Sequence, residues 1–351
     1  MKRKFKRCIA VLSLACATFA GCSGETKTKP NTANSGAAID NFRRTVAFGE
    51  YHIAAIKNDG TVVATGDNSK GQCDVEAWTD IISIQATKNG TVGQRSDGSI
   101  VVAGDIPWAD FSTDQDIESF SLSDSGEFAY MLSADGKDKI HGTRYDILSI
   151  PSDWDDVRYV AAYKKGAFGI KKDGTVTFAE NNYADLKGKE QRIKTFYKPY
   201  DWSDIQQIAT GGGSILGLTS TGRIESALTN VYQTEFTGDQ DDRYCKVTGS
   251  INAVYGLTTD GKIKGSYTNN PPELIYEKYL DKLNSKRISL FGGKNVYVAD
   301  IEASENCPLL AEILSDGTLH LELINEFNEY TLDRIKEAQE WTDLMVIDRT
   351  K

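Results

Sequence analysis

Three histidines, six cysteines and a scatter of carboxylates are the side chains with which this chain of 351 residues could do acid–base, nucleophilic or metal chemistry. His52 stands in a Gly-x-x-His string at the start of a strand-like run, while His141 and His320 stand in or beside later strands. All three read as local hydrogen-bonding groups. No Gly-x-Ser-x-Gly elbow, no His-Glu-x-x-His pair and no Gly-rich phosphate loop before Lys-Ser or Lys-Thr occurs in the sequence. The run Asp239-Gln240-Asp241-Asp242 lacks the Gly and the closing Glu of a calcium loop, and reads as a solvated turn. Folding could still bring together a carboxylate pair of the kind that hydrolyses glycosides, which spacing does not exclude. Cys73, Cys245 and Cys307 show no Cys-x-x-Cys pair and no adjacent His, so no zinc site is expected. Catalytic residues, metal and cofactor are all assigned as none, and an enzyme with a cross-blade carboxylate pair, a polysaccharide lyase or hydrolase, is kept as the alternative.

These residues must be held by a repeat. An Asp-Gly or Thr-Gly pair flanked by β-forming residues ends at Gly60, Gly98, Gly136, Gly174, Gly222, Gly261 and Gly317, at intervals of 38, 38, 38, 48, 39 and 56. Such pairs between apolar runs signal hairpins with type I′ turns, which need positive φ at both central residues. A second marker recurs between them, as Trp78-Thr79-Asp80, Trp154-Asp155-Asp156, Trp202-Ser203-Asp204 and Trp341-Thr342-Asp343, with Asp116 in the same slot. Tryptophans repeated in one register are wedges between neighbouring units. Several strands per unit of about 40 residues is the signature of a β-propeller. Seven units give seven blades. Small residues such as Ala64, Gly66, Ala103 and Gly104 are expected on inner strands near the axis. Closure should pair the segment near Phe42–Phe48 with the end near Leu344–Ile347.

The first residues bear on location. Lys2, Arg3, Lys4, Lys6 and Arg7 precede an apolar run, Cys8–Ala20, too short to span a bilayer, which reads as an export signal. Phe19-Ala20-Gly21-Cys22 resembles the lipobox of bacterial lipoproteins, in which the Cys is acylated and becomes the first residue; Phe19 departs from the usual Leu. Residues 1–21 are therefore expected to be a lipoprotein signal peptide, 22–40 a lipidated flexible tether, and 41–351 the propeller. Cleavage removes five of 40 cations and none of 50 acids, leaving 35 against 50 and a net charge of −15. That balance excludes phosphate-backbone binding to nucleic acid and docking by charge on anionic lipid. The bilayer is a partner only through acylated Cys22, and the expected location is a cell membrane or envelope, lipid-anchored and extracytoplasmic.

From Gly49 to Cys73 the string GEYHIAAIKNDGTVVATGDNSKGQC, followed by Trp78-Thr79-Asp80-Ile81, closely resembles the repeat of the regulator of chromosome condensation family. Later units keep the turn and often Trp-x-Asp but lose Gly-x-x-His and Gly-Gln. The resemblance implies an all-β, seven-bladed propeller and a binding role; one branch of exported members inhibits β-lactamases, so a propeller-type inhibitor of an exported enzyme is a further alternative. Nucleotide exchange on a nuclear GTPase is not implied for an exported chain.

Deviations from the repeat point to the binding site. An insertion at 180–200 carries Tyr183, Phe196, Tyr197 and Tyr200, and a second at 266–287 carries Tyr267, Tyr276 and Tyr279. Both follow the second strand of a hairpin, so both should leave the same edge. Trp108 falls outside the Trp-x-Asp register and is a further candidate contact. Aromatic side chains on loops of a rigid scaffold give contact area at low entropy cost. A third insertion is expected at Asp300–Pro308. The reading is a membrane-anchored monomer that binds a protein or glycan through rim loops.

Overall fold

The Asp-Gly and Thr-Gly hairpins each acquire one more strand, and the three together make a small sheet. A computed structural model describes residues 42–106, 116–123, 126, 128–134, 139–142, 154, 156–163, 166–180, 201–228, 236, 241–250, 253–267, 296–304, 307–323 and 335–350. In chain order the strands are β1 (Val46–Phe48), β2 (His52–Ile56), β3 (Val62–Gly66), β4 (Ile81–Thr87), β5 (Gly90–Arg95), β6 (Ile100–Gly104), β7 (Ile117–Leu122), β8 (Phe128–Ser133), β9 (Lys139–Gly142), β10 (Val157–Tyr163), β11 (Gly166–Lys171), β12 (Val176–Glu180), β13 (Ile205–Gly211), β14 (Ser214–Thr219), β15 (Ile224–Leu228), β16 (Tyr244–Gly249), β17 (Ala253–Thr258), β18 (Ile263–Tyr267), β19 (Val298–Ser304), β20 (Cys307–Leu314) and β21 (Leu319–Leu323). They form seven antiparallel sheets of three, each taking three consecutive strands in order.

Seven apolar cores lie between these sheets. Trp78, Ile56 and Ile84 belong to the core between blades one and two, Phe120 and Val92 to that between two and three, and Phe128 and Val160 to the next. Ile170 and Ile208, Leu216 and Val247, and Tyr255 and Ile301 continue the series. The seventh core joins Phe48 and Ile53 of the first blade to Leu309 and Ile313 of the last, so the ring is closed. The first strand of each blade meets its counterparts in the neighbouring blades and lies innermost. The fold is a seven-bladed β-propeller.

The turns have a different chemistry from the expected type I′. At Gly60, Gly98, Gly174, Gly222, Gly261 and Gly317 only the Gly has positive φ, between 77° and 82°. In the first hairpin the Gly60 N–H donates to the Lys57 carbonyl and the Lys57 N–H to the Thr61 carbonyl, a type I turn ended by a left-handed Gly. Asp59 earns its place by accepting from the Thr61 N–H and hydroxyl at 3.0 and 2.6 Å, and Asp173 and Asp316 do the same for Thr175 and Thr318. The third turn, at Gly136, lies outside the described residues.

The Trp-x-Asp marker stitches blades together. Asp80, Asp116, Asp156, Asp204 and Asp343 all sit at φ between 54° and 67°, a left-handed conformation that Asp tolerates better than most residues. The residue after the Asp then bonds back to the preceding blade, as Ile81 N–H to Gly60 C=O and Ile205 N–H to Gly174 C=O. Trp78 and Trp202 lie on Gly93 and Gly217, where an added Cβ would come within 2.9 and 2.7 Å of the indole. The wedge reading of these tryptophans therefore holds.

Three expectations need correction. The small residues of β3 and β6 are on the outermost of the three strands, not the innermost; Gly66 and Gly104 are required because a Cβ would lie 2.3 Å from the carbonyl oxygens of Tyr51 and Asn89. Asp300–Pro308 is no insertion but the β19–β20 hairpin, in which Ser304 pairs with Cys307. Closure does not pair the end of the chain with β1, whose partner is β2. Instead Leu344 bridges Lys57, and the Met345 N–H donates to the Ile56 carbonyl, because β1 is already the inner strand of a complete first blade.

Candidate functional site

Each blade has two edges of different character. The Asp-Gly turns lie at one; the turns between first and second strands, such as Thr87–Gly90, lie at the other. Third strands end at this second edge, as Gly104 pairs with Gly90. Glu180 of β12 pairs with Gly166 and Tyr267 of β18 with Ala253, so both inserted segments begin at the same edge, as expected. Tyr267 is placed only through its backbone. Trp108, Tyr183, Phe196, Tyr197, Tyr200, Tyr276, Tyr279 and Cys22 lie outside the described residues.

His52 is held in the first junction at this edge. Its Nε2 is 3.0 Å from Thr91 Oγ1, which itself donates to the Gln72 carbonyl at 2.8 Å. Because that hydroxyl has given its one proton away, His52 must donate from Nε2. Burial pushes the imidazole down to about 4, so it is neutral at physiological pH. Gly49 is obligatory, since a Cβ there would lie 2.0 Å from the ring. Around it Lys70 N–H donates to Gln72 Oε1, Cys73 N–H to Asn68 Oδ1, and Gln72 Nε2 to Asp67. The Gly-x-x-His and Gly-Gln elements are thus the two halves of one structural knot.

The axis carries the charge. Lys246 of β16 donates to Glu302 at 2.6 Å and stands 3.7 Å from Asp300, while Arg349 Nε donates to Asp300 at 3.2 Å. All four side chains are at most 2% exposed. Burial pushes the Glu302 carboxyl up, against the opposing pull of Lys246 and Arg44. Both acids are committed to ion pairs and do not form a free pair facing a cleft.

Two further groups were candidates for chemistry. His320 stands between two carboxylates, Nδ1 3.2 Å from Glu312 and Nε2 3.7 Å from Glu322. The three ligand atoms lie within 4.8 Å of one another, but the acids address opposite ring nitrogens, so a single ion could take all three only after the ring turned. Cys73, Cys245 and Cys307 are free thiols, and burial pushes them up to about 11, 12 and 12, far from thiolate reactivity. In the acidic run, Asp242 pairs with Lys264 and accepts from the Tyr244 hydroxyl, a turn role.

Residues 44–72 match the regulator of chromosome condensation (RCC1) repeat. No curated protein matches the chain. Among solved structures it is similar to the entire ectodomain of the receptor kinase CR4 from Physcomitrella patens, at 12% identity and a TM-score of 0.58, over 80% of this chain and 72% of that one. It is also similar to the CRINKLY WD40 ectodomain of the receptor kinase ACR4 from Arabidopsis thaliana, at 11% identity and 0.56, over 80% and 97%. Prp20p from Saccharomyces cerevisiae aligns at 10% identity and 0.48, over 74% and 80%.

Proposed function

We propose that this is an exported, lipid-anchored propeller that binds a protein or glycan through loops at one edge and does no chemistry. The observation that carries the reading is the shared exit of the two aromatic-rich insertions, after Glu180 and after Tyr267, at one edge of a rigid ring. The described ionisable groups agree with it: His52 is neutral and buried, the axial acids are ion-paired and the thiols are raised. The same architecture serves as the ectodomain of two plant receptor kinases, which supports an extracytoplasmic binding role by analogy of fold. The tether raises the local concentration of the propeller at the membrane, and the loops select the partner.

Affinity purification with the full chain and with a variant lacking residues 183–200 tests the reading. Capture should be lost on deletion while the fold persists, and capture unchanged by the deletion would remove the loop from the account. Cys22→Ser should release the protein from membranes or leave its precursor uncleaved; indifference to it would reject the anchor.

A further inference from the structure

Blade seven puts a carboxylate where other blades have no room for a side chain. In blades two, five and six the residue five places before the turn Gly is Gly93, Gly217 or Gly256. An added Cβ there would come within 2.9, 2.7 and 2.6 Å of the rings of Trp78, Trp202 and Tyr244, which enter from the first strand or from just before it. Glu312 holds the same place before Gly317. In blade six Tyr244 pairs with Thr258, and in the same register of blade seven Val298 pairs with Leu314. Blade seven has thus exchanged the ring and the Gly for a Val and a Glu.

The direction of that Glu follows from strand alternation. Leu310 and Leu314 share a core with Tyr255 and Ile263 of blade six, whereas Ala311 and Ile313 belong to the core shared with blade one. Glu312 therefore faces the junction of blades six and seven. Across the ladder it pairs with His320, and Glu322 lies two residues further along the same face of β21. The Glu312 carboxylate is fully buried, Glu322 is 16% exposed and His320 30%. One ligand atom from each of the three lies within 4.8 Å of the other two.

We propose that Glu312, His320 and Glu322 bind one divalent transition ion of the zinc class, which wedges the junction of blades six and seven as an aromatic ring wedges its counterparts. One imidazole nitrogen and two carboxylate oxygens are a donor set that suits zinc, and the two carboxylates neutralise its charge. A buried carboxylate is costly unless it is paired or holds a metal, so the ion supports Glu312 where it stands. Calcium and magnesium take about six or more oxygens, which this set does not offer. Zinc holds its ligands at about 2 Å, so tetrahedral ligand atoms stand about 3.3 Å apart. The set is wider than that by at most about 1.5 Å, and a turn of the half-exposed imidazole, bringing one nitrogen to face both acids, closes it. Water takes the fourth position.

The test is equilibrium dialysis of the chelator-stripped full chain against zinc sulfate with magnesium sulfate in excess, followed by metal analysis of the retained protein. Wild type should keep about one zinc per chain more than His320→Gln does. Glu322→Gln should weaken the same site by about tenfold or more. The free thiols are identical in all three chains, so the difference between chains is the readout. Zinc should also raise the urea midpoint of wild type and leave that of His320→Gln where it was. Glu322 is the partly exposed ligand on the outer strand, so Glu322→Gln decides the question if His320→Gln fails to fold. Equal zinc retention by wild type and variants, displacement of the zinc by magnesium, or no zinc retained at all would overturn the proposal. Neither the anchor nor the inserted segments take part, so the outcome is independent of the capture experiment.

Discussion

The junction between blades one and two and the junctions that tie blades six and seven back to blade one solve one problem with different chemistry. At the first, a neutral His52 meets Thr91, and the Ser83 hydroxyl accepts from the Arg44 N–H at 3.4 Å. At the last, buried ions do the joining, Lys246 to Glu302 across blades six and seven, then Asp300 to Arg349 from the C-terminal segment. Three of the intermediate junctions follow the neutral pattern: Gln85 caps the Phe120 carbonyl and the Leu122 N–H, Ser121 accepts from Ala162 N–H, and Gln207 from Val247 N–H, whereas between blades four and five the Arg158 guanidinium donates to the Ile205 carbonyl and to Gln206 Oε1. The lesson concerns continuity. The seam between the last blade and the first is not bridged by a short connecting loop, and charge-assisted bonds through Arg349 hold the segment that crosses it.

The comparison breaks most sharply at Lys246. Lys246→Met leaves Glu302 buried beside Asp300 with its nearest cation gone, and should cost about 3–5 kcal/mol in urea unfolding. Adding Glu302→Leu should recover part of that loss, since removing both partners is milder than stranding one. A cost for Lys246→Met no larger than that of an exposed lysine would mean that the axial pair does not hold the junction of blades six and seven.

The neutral junction should show itself through pH. His52 has a folded value of about 4 against an ordinary 6.5, so the unfolded chain takes up a proton that the fold refuses. Stability from this group is complete above pH 6.5 and drains away as pH falls toward 4, a loss on the order of 3 kcal/mol. The difference in unfolding free energy between wild type and His52→Gln should therefore change across that window. A constant difference would show that the imidazole is not held neutral.

Gln85→Ala is the milder case. It strands a buried N–H and a buried C=O and should cost about 1–3 kcal/mol, measured the same way. A loss below that range would indicate that water replaces the side chain.

The two kinds of junction were not equally legible in the sequence. Gly60 and its counterparts, Trp78 and Asp80 announced themselves because their roles are local: a left-handed turn residue, a wedge, a left-handed Asp. The blade count followed from them. Lys246, Asp300, Glu302 and Arg349 meet only after the ring closes, so no spacing reveals them. What signal exists is a charge in an otherwise apolar inner strand, as in Ala299-Asp300-Ile301-Glu302-Ala303. The reading of Asp300–Pro308 as an insertion came instead from the irregular spacing of the repeat, and the acids in it gave no warning because their cations, Lys246 and Arg349, lie 56 and 49 residues away in sequence. The turn type was misread for a related reason, since Asp-Gly is shared by type I′ turns and by type I turns ended by a left-handed Gly.

Native-state hydrogen exchange on the full chain bears most directly on the closed ring. The amides of Met345 and Arg349 donate to the carbonyls of Ile56 and Ala299, on opposite sides of the seam. Both should exchange as slowly as the amides of β19, which requires that the ends open only when the ring does. Exchange of those two amides at the rate of a free chain end would contradict the closed propeller.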